Sequence, residues 1–426
     1  MNSTQRFFVL SIIVNGFYLI ITFIFFYFLD SFLMSSDNTD YLTFHNAGLI
    51  VVNDLPNLYD PSLYLFPFRY LPLAAFFFTP FSLLGLELGY FFYQIFNFFL
   101  NFVIIYLIYR IFLFYRNQNS DSTKNIESYN LKYIFSEPEN KSFLHHGSIY
   151  LLMLPQFMNY FLGQINVIVL FFILTSFLFF LKGGNRNDFL GGFMLGLGIL
   201  FKPTLVLVIP FIIPIGFDKL HRKLTLQFKK MIFRLNGPVI LVLFSGLIFL
   251  AYPQMLNDFI DVNLAGDYIY TTGSGLEINP SFSLTRIILI LFELTGLNIN
   301  GFLIMLLVTL IVLIPLYILF IIYSNQSNKL VIGFLSGISV MLLVYFDSWP
   351  HHLVVLAPFM IIFILLNRNF KLLKLFKYVY YLLTNLSLAF WGIYFLTYEF
   401  FPFNIGSLIF LLLIYYNLTI FLKKKD

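Results

Sequence analysis

The sequence predicts an all-α, polytopic integral membrane protein, a bundle of about twelve transmembrane helices. Hydrophobic residues make up 60% of the chain, more than one water-soluble core absorbs. Apolar runs long enough to cross a hydrocarbon core of about 30 Å as helix recur from end to end. The alternating segments of roughly ten residues that mark a membrane barrel do not recur.

The apolar runs place the spans in chain order. The first run is too long for a signal-peptide core and lacks a cleavage site, so we expect it to be retained. Two stretches of about 15 residues, 70–84 and 283–297, contain prolines or charges and are expected to lie in the interface or re-enter. The even number of spans puts both termini on the same side, and the positive-inside rule makes that side the cytoplasm. The predicted spans are 7–29, 86–109, 147–161, 165–181, 186–201, 204–217, 237–252, 300–323, 330–346, 352–366, 378–397 and 404–422.

Charge patterning supports this topology. All but three of the 25 Lys and Arg residues fall in predicted cytoplasmic segments, as the positive-inside rule expects. The three exceptions, Arg69, Lys202 and Arg286, fall on the outer side. Two long outer loops, 30–69 and 253–281, are otherwise acidic, and long ordered loops tend to be functional. The sequence therefore predicts that the functional groups gather on the outer face.

An acid pair follows the first span. Asp37 precedes "DYLTFHNAG", which begins at Asp40. A carboxylate at the membrane surface can act as general base toward a hydroxyl. The alternative is a solvated loop acid or a helix N-cap, since Asp before an apolar run caps helices well.

Amides and a lysine occur near later outer turns. "NYFLGQINVIVL" sets Gln164 and Asn166 between two spans, where amides can bond sugar or phosphate oxygens or simply make a turn. "GGFMLGLGILFKP" places Lys202 before a helix-breaking proline. That ammonium can bind a lipid phosphate or snorkel to the interface. The glycines before it are expected to let helices pack closely.

Two further segments supply cations and imidazoles. "INPSFSLTR" ends at Arg286, and "FDSWPHHLVVLAP" places His351 and His352 at the head of a span. A histidine there can bind phosphate or move a proton, or it can cap the helix. With Arg69 in "FRYLPLAAFFFTP", the outer face collects an acid, three cations and two imidazoles. Transfer from a lipid-phosphate donor needs that set of groups.

Other classes are disfavoured. A Gly-rich phosphate loop of Walker type is absent from the sequence, which argues against an ATP-driven machine. Zero cysteines exclude disulfides and thiolate metal sites. Basic residues in a membrane protein report orientation first, so we expect no nucleic-acid partner.

These motifs, in this order over about residues 1–360, resemble the GT-C superfamily of membrane glycosyltransferases. Within it they are similar to glycosyltransferase family 87, the polyprenyl-phosphate-mannose-dependent mannosyltransferase type. The resemblance implies one membrane domain, with a GT-C-like catalytic module in 1–255, including the first outer loop 30–69, and a C-terminal module in 256–426. It also implies a multi-pass protein of the plasma membrane.

The resemblance further implies an inverting hexosyltransferase with an extracytoplasmic active site. Asp40 would deprotonate the acceptor hydroxyl, with Asp37 as second choice. The partners would be a polyprenyl-phosphate sugar and a lipid or glycan acceptor in the bilayer, with no cofactor and no metal. The groups expected to hold the donor are Lys202, His351, His352, Arg69, Arg286, Gln164 and Asn166.

A transporter or lipid flippase is the main alternative, because intramembrane charges also line translocation paths. A carrier would place these groups near the midplane of several helices, whereas this chain places them on one face. A scaffold subunit is the third possibility, and it would tolerate replacement of Asp40. We favour the transferase.

Overall fold

A computed structural model of the protein describes residues 2–28, 40–118, 140–218, 221–263, 281–297, 299–323, 329–367 and 373–398, with isolated positions after 398. Asp37 and most of the predicted span 404–422 lie outside the described residues. The helices are α1 (Ser3–Phe28), α2 (Asp40–Asn53), α3 (Pro72–Ser82), α4 (Leu86–Gln118), α5 (Lys141–Leu152), α6 (Leu154–Leu162), α7 (Asn166–Lys182), α8 (Asn185–Phe201), α9 (Ile209–Ile212), α10 (Phe228–Ala251), α11 (Pro253–Asn263), α12 (Leu284–Leu294), α13 (Gly301–Tyr323), α14 (Lys329–Val344), α15 (Leu353–Leu366) and α16 (Leu373–Thr397). Short 3-10 turns occupy Leu55–Asn57, Pro61–Leu63, Pro203–Val208 and Pro350–His352.

The fold is that of a helical membrane protein, but the predicted number of spans is not confirmed. Among the described residues, four helices are long and apolar enough to cross a membrane, or five if the bent pair α6 and α7 counts as one span. Several predicted spans form shorter apolar helices, such as α14 and α15. The predicted interfacial stretches form α3 and α12, each about 16 Å long and so shorter than the hydrocarbon core.

Proline explains two differences from the predicted spans. The prediction of one helix over 147–161 is wrong, because Met153 is extended and Pro155 starts a new helix, α6. The prediction of a span over 204–217 is also wrong. Pro203, Pro210 and Pro214 remove helical N–H donors there, so this stretch forms a 3-10 turn, the one-turn α9 and a strand.

That strand corrects the all-α prediction locally. Strand β1 (Ile215–Asp218) pairs antiparallel with β2 (Lys223–Leu226), with Ile215 opposite Leu226 and Asp218 opposite Lys223. Lys329, the first residue of α14, donates a hydrogen bond to the carbonyl of Ile215 and ties this hairpin to the bundle.

Close helix packing builds the bundle. Helix α8 packs along both α7 and α10, and α15 packs on α14, α4, α5 and α7. Gly192 confirms the expected role of the α8 glycines, since a Cβ there would lie 2.1 Å from the carbonyl oxygen of Arg234 on α10. The division into modules 1–255 and 256–426 stays a prediction.

The helices give the bundle two ends. The start of α7, the end of α8, the end of α14 and the start of α15 are connected by the hydrogen bonds described below, and we call this the site end. The β-hairpin lies at the opposite ends of α7, α8 and α14, which we call the hairpin end. Helices of 16 and 17 residues separate the two ends by about 24 Å, close to a hydrocarbon thickness.

Candidate active site

Asp40 is the first residue of α2 and is partly buried at the site end. Its carboxylate accepts a hydrogen bond from the Gln164 side chain, 124 positions away, which differs from the local bond of an N-cap. Burial is the largest influence and raises the pKa of Asp40 to about 7; the Gln164 bond and Arg69 oppose the rise, and Asp347 adds to it. The carboxylate is therefore poised between its two protonation states near neutral pH.

A glycine turn brings Gln164 to Asp40. Gly163 ends α6 in the left-handed conformation, with φ +67°, and the chain bends by 119° into α7. A Cβ at Gly163 would lie 2.7 Å from the Cβ of Tyr41, the neighbour of Asp40. Tyr93 on α4 donates a hydrogen bond to the carbonyl oxygen of Gln164 at 3.1 Å. The turn thus needs glycine both for its φ and for its contact with α2.

Lys202 lies at the same end, where α8 stops before Pro203. Its backbone N–H still bonds Gly198 at 2.9 Å, and its side chain is buried. The ammonium donates to the Asn166 side chain at 3.2 Å. Burial lowers the pKa of Lys202 to about 7, with Asp347 opposing that change. A bound anion would restore the charge.

An amide chain links Lys202 to the histidine turn. The Asn166 amide donates to Asn159 at 3.0 Å, and the Asn159 amide donates to the carbonyl oxygen of His351 at 2.9 Å. Three segments that are far apart in sequence are thereby held in one network. Asn166 was among the predicted site residues and Asn159 was not, although its polar side chain within a predicted span was an available signal.

Arg69 is held by a partner that the sequence analysis also missed. Its guanidinium lies 3.3 Å from the carboxylate of Asp347 and 5.2 Å from the ring centre of Phe346, and it also bonds Tyr345. The Trp349 indole donates to the other carboxylate oxygen of Asp347. Asp347 stood in the quoted motif "FDSWPHH" as an acid beside two imidazoles, which was a usable signal. Arg69 and Asp347 form a partly buried ion pair within electrostatic range of Asp40.

The histidines occupy the 3-10 turn before α15. Both side chains are buried, their ring centres are 4.4 Å apart, and the planes are nearly perpendicular. The backbone N–H of Trp349 donates to Nδ1 of His352 at 3.2 Å, so a neutral His352 carries its proton on Nε2. Lys202 acts electrostatically on both rings. Each imidazole therefore belongs to the Lys202 neighbourhood.

Arg286 lies on the neighbouring helix α12. Ser283 caps this helix by accepting from the backbone N–H of Arg286 at 3.0 Å, and the N–H of Phe282 donates to the carbonyl oxygen of Ser348 at 2.9 Å. The guanidinium is buried, but the charges acting on Asp40 are those of Arg69 and Asp347. The structure thus brings Asp40 together with Gln164 and Arg69, and Lys202 together with Asn166 and the two histidines. Asp347 acts on both groups, and Arg286 is anchored beside the same loop.

The gathered groups offer a base, hydrogen-bond donors and cations, which suit proton removal and stabilisation of a departing anion. Across the described ranges, three or more His, Cys, Asp or Glu side chains do not come together as metal ligands.

Comparison with known proteins gives the family of the chain. The chain has no match among curated proteins. The model of glycosyltransferase family 87 matches residues 68–345, more than half of the chain. That match covers the segments that carry Arg69, Gln164, Asn166, Lys202 and Arg286. Asp40, Asp347 and the two histidines lie outside it. The chain belongs to glycosyltransferase family 87.

Proposed function

We propose that this glycosyltransferase moves a hexose, mannose in the first instance, from a polyprenyl-phosphate sugar to an acceptor hydroxyl with inversion. The observation that carries the proposal is the partly buried contact of Asp40 with Gln164, within electrostatic range of Arg69 and of Asp347, which also acts on Lys202. A donor already activated as a lipid phosphate needs no nucleotide site, and the enzyme mainly orients two substrates and stabilises a leaving phosphate.

Asp40 takes the role of general base. The carboxylate accepts the proton of the acceptor hydroxyl, and the acceptor oxygen forms the new bond to the anomeric carbon. The bond from that carbon to the phosphate oxygen breaks, and its electron pair leaves with the polyprenyl phosphate. Gln164 bonds one carboxylate oxygen, which leaves the other to face the acceptor.

The leaving phosphate is assigned to Lys202, the Nε2–H of His352, His351 and Arg69. Asn166 positions the Lys202 ammonium, and Asp347 positions the Arg69 guanidinium. These donors reach the site from separate elements, so the cluster forms only in the folded chain. Arg286 is kept as a candidate phosphate ligand because its helix is anchored beside the loop of Asp347.

The extracytoplasmic location of the site is supported by charge. The hairpin end carries Lys and Arg on β2, α10 and α14, as the positive-inside rule expects of a cytoplasmic face. Asp40 and Lys202 lie at the other end. We therefore assign the protein to the plasma membrane with its site facing outward.

The test is transfer of radiolabelled mannose from polyprenyl-phosphate-mannose to membrane lipid extract by purified protein. Asp40→Asn should lose transfer, while Asp37→Asn and the exposed-loop control Asp54→Asn should keep it. The anomeric configuration of the product checks inversion, and a polyprenyl-phosphate-glucose arm checks the hexose. If the wild type transfers no sugar from any lipid-phosphate donor but moves lipid across vesicles, the flippase alternative replaces the proposal.

A further inference from the structure

A cavity lies at the hairpin end of the bundle, far from Asp40. Its volume is about 730 Å³, and it is lined by β1, the first turn of α10, and the ends of α7, α13 and α14. Helix α7 runs from Asn166 at the site to Phe180 and Leu181 at this cavity, so the two are roughly 20 Å apart. The transfer reaction assigned above makes no use of this cavity.

Three cations line the cavity: Lys230, Arg234 and Lys329. Arg234 is fully engaged, because its Nε donates to Asp188 at 2.8 Å and its guanidinium also bonds the carbonyl oxygen of Ile212 at 2.7 Å. The acid on the lining, Asp218, is engaged by His221 at 2.7 Å. Lys329 bonds only the neutral carbonyl oxygen of Ile215, whereas Arg234 is paired with the charged Asp188, so the two lysines give the cavity its net positive charge.

The start of α10 adds to this positive field. Gln227 is its N-cap but makes no side-chain capping bond, and its first turn carries Lys229 and Lys230 and no acid. The first backbone N–H groups of a helix have no partner within the helix, and the macrodipole is positive there. Two lysines at this position are repelled by the positive end of the helix dipole, and a bound anion would offset that repulsion.

The remaining wall is apolar. Phe211, Ile321 and Ile322 line the cavity beside the lysines. Leu226 of the hairpin also lines the cavity and is 46% exposed, and Leu224 (64%) and Phe228 (61%) are exposed next to it. Exposed apolar side chains on a basic surface are typical of a membrane interface.

We propose that this cavity binds an anionic membrane phospholipid, with the headgroup phosphate on Lys230, Lys329 and the start of α10. The acyl chains lie along Ile321, Ile322 and the exposed Leu226. A free phosphate ion would use the lysines alone and would leave the apolar wall without a function. The site is independent of the sugar-transfer proposal and is tested by binding.

The experiment uses the full chain in detergent, titrated with phosphatidylglycerol, phosphatidylcholine or inorganic phosphate, with bound lipid counted by native mass spectrometry. The wild type should retain phosphatidylglycerol over phosphatidylcholine. Lys230→Gln should weaken retention about fivefold, since one lysine near an anionic headgroup contributes about 1 kcal/mol. Lys230 suits the test because no described residue accepts a hydrogen bond from its ammonium.

Lys223→Gln is the matched control, since it removes the same charge from the exposed strand β2 outside the cavity lining. Equal losses of phosphatidylglycerol retention in Lys230→Gln and Lys223→Gln would overturn the proposal, because general surface charge would then explain the binding. Equal retention of both phospholipids, or inorganic phosphate displacing phosphatidylglycerol at equal concentration, would overturn it too. Melting temperatures in neutral detergent should match the wild type, and a Lys230→Arg variant that keeps the charge should restore retention.

Discussion

Replacing Asp40 by Asn tests the base directly. Asn is nearly isosteric and can still contact Gln164, but it cannot accept a proton from the acceptor hydroxyl. General-base catalysis contributes roughly 10²–10⁴-fold, so kcat should fall by about that factor. The KM for the lipid donor should change little, because the donor phosphate is assigned to Lys202 and its neighbours.

The pH dependence gives the magnitude from the structure. Burial raises the pKa of Asp40 from its ordinary value of 3.8 to about 7, and only the deprotonated carboxylate is a base. Below pH 7, kcat/KM should therefore fall about tenfold per pH unit, with about one tenth of the carboxylates ionised at pH 6. An unperturbed aspartate would keep full activity down to about pH 5.

Stability should change in the opposite direction. Because the folded-state pKa is raised, the folded protein holds a proton between pH 3.8 and about 7 that the unfolded chain has lost, so stability falls as pH rises through this window. Each pKa unit corresponds to about 1.4 kcal/mol, so ionising Asp40 costs at most about 4 kcal/mol, less in proportion to its partial exposure. Asp40→Asn should therefore raise the melting temperature at pH 8 and leave it unchanged near pH 4.

The assay is mannosyl transfer by purified wild type and variant from pH 5 to 9, with melting curves at both extremes. Asp54→Asn, an exposed acid on the same predicted loop, should change neither quantity. Retained transfer by Asp40→Asn would refute its role as base. An acid limb near pH 4 in the wild type would refute the burial argument even if the variant were inactive.

Three further changes probe the neighbours of Asp40. Asp347→Asn removes the charge that raises the pKa of Asp40 and frees Arg69 to lower it, so the acid limb of kcat/KM should move to lower pH; an unmoved limb would contradict the coupling. Lys202→Gln should raise the donor KM at least tenfold. In a pH series of donor binding, the wild type should lose affinity as pH rises above the Lys202 pKa of about 7, and Lys202→Arg should abolish that loss. Gly163→Ala should cost about 1–2 kcal/mol for its left-handed φ and reduce transfer by displacing Gln164; calorimetry and the transfer assay test both, and an unaffected protein would contradict the turn argument.

Local signals made much of the site predictable. Lys202 precedes a proline that ends its helix, and Gly163 with Gln164 occupies a turn between apolar runs, so each could be located from its own neighbours. The ion pair of Arg69 with Asp347 joins residues 278 positions apart. Neither neighbourhood reveals such a partner, because the contact forms only when the folded bundle brings the segment before α3 to the segment after α14.

The predicted span count is not confirmed, for a related physical reason. Apolar composition identifies a segment that avoids water, but both a lipid-facing helix and a helix buried inside the bundle satisfy that condition. Helix α14 is buried over most of its length, and α15 almost entirely. Prolines then decide whether an apolar run is one helix or several, and the chain around Pro155 and Pro210 was divided in that way.

Burial brings the pKa values of Asp40 and Lys202 together. It raises the pKa of the acid and lowers that of the amine, each to about 7. A bound donor phosphate has opposite consequences for the two groups. Its negative charge keeps Lys202 protonated, which strengthens binding, but the same charge disfavours the ionised form of Asp40 that acts as the base. The Gln164 bond and the Arg69 charge both act to keep Asp40 ionised. Asp347 holds Arg69 in place, but its own negative charge raises the pKa of Asp40. It therefore cancels part of the lowering that Arg69 provides. Gln164, Arg69 and Asp347 together therefore set how strongly the phosphate can bind before Asp40 becomes protonated and stops acting as a base.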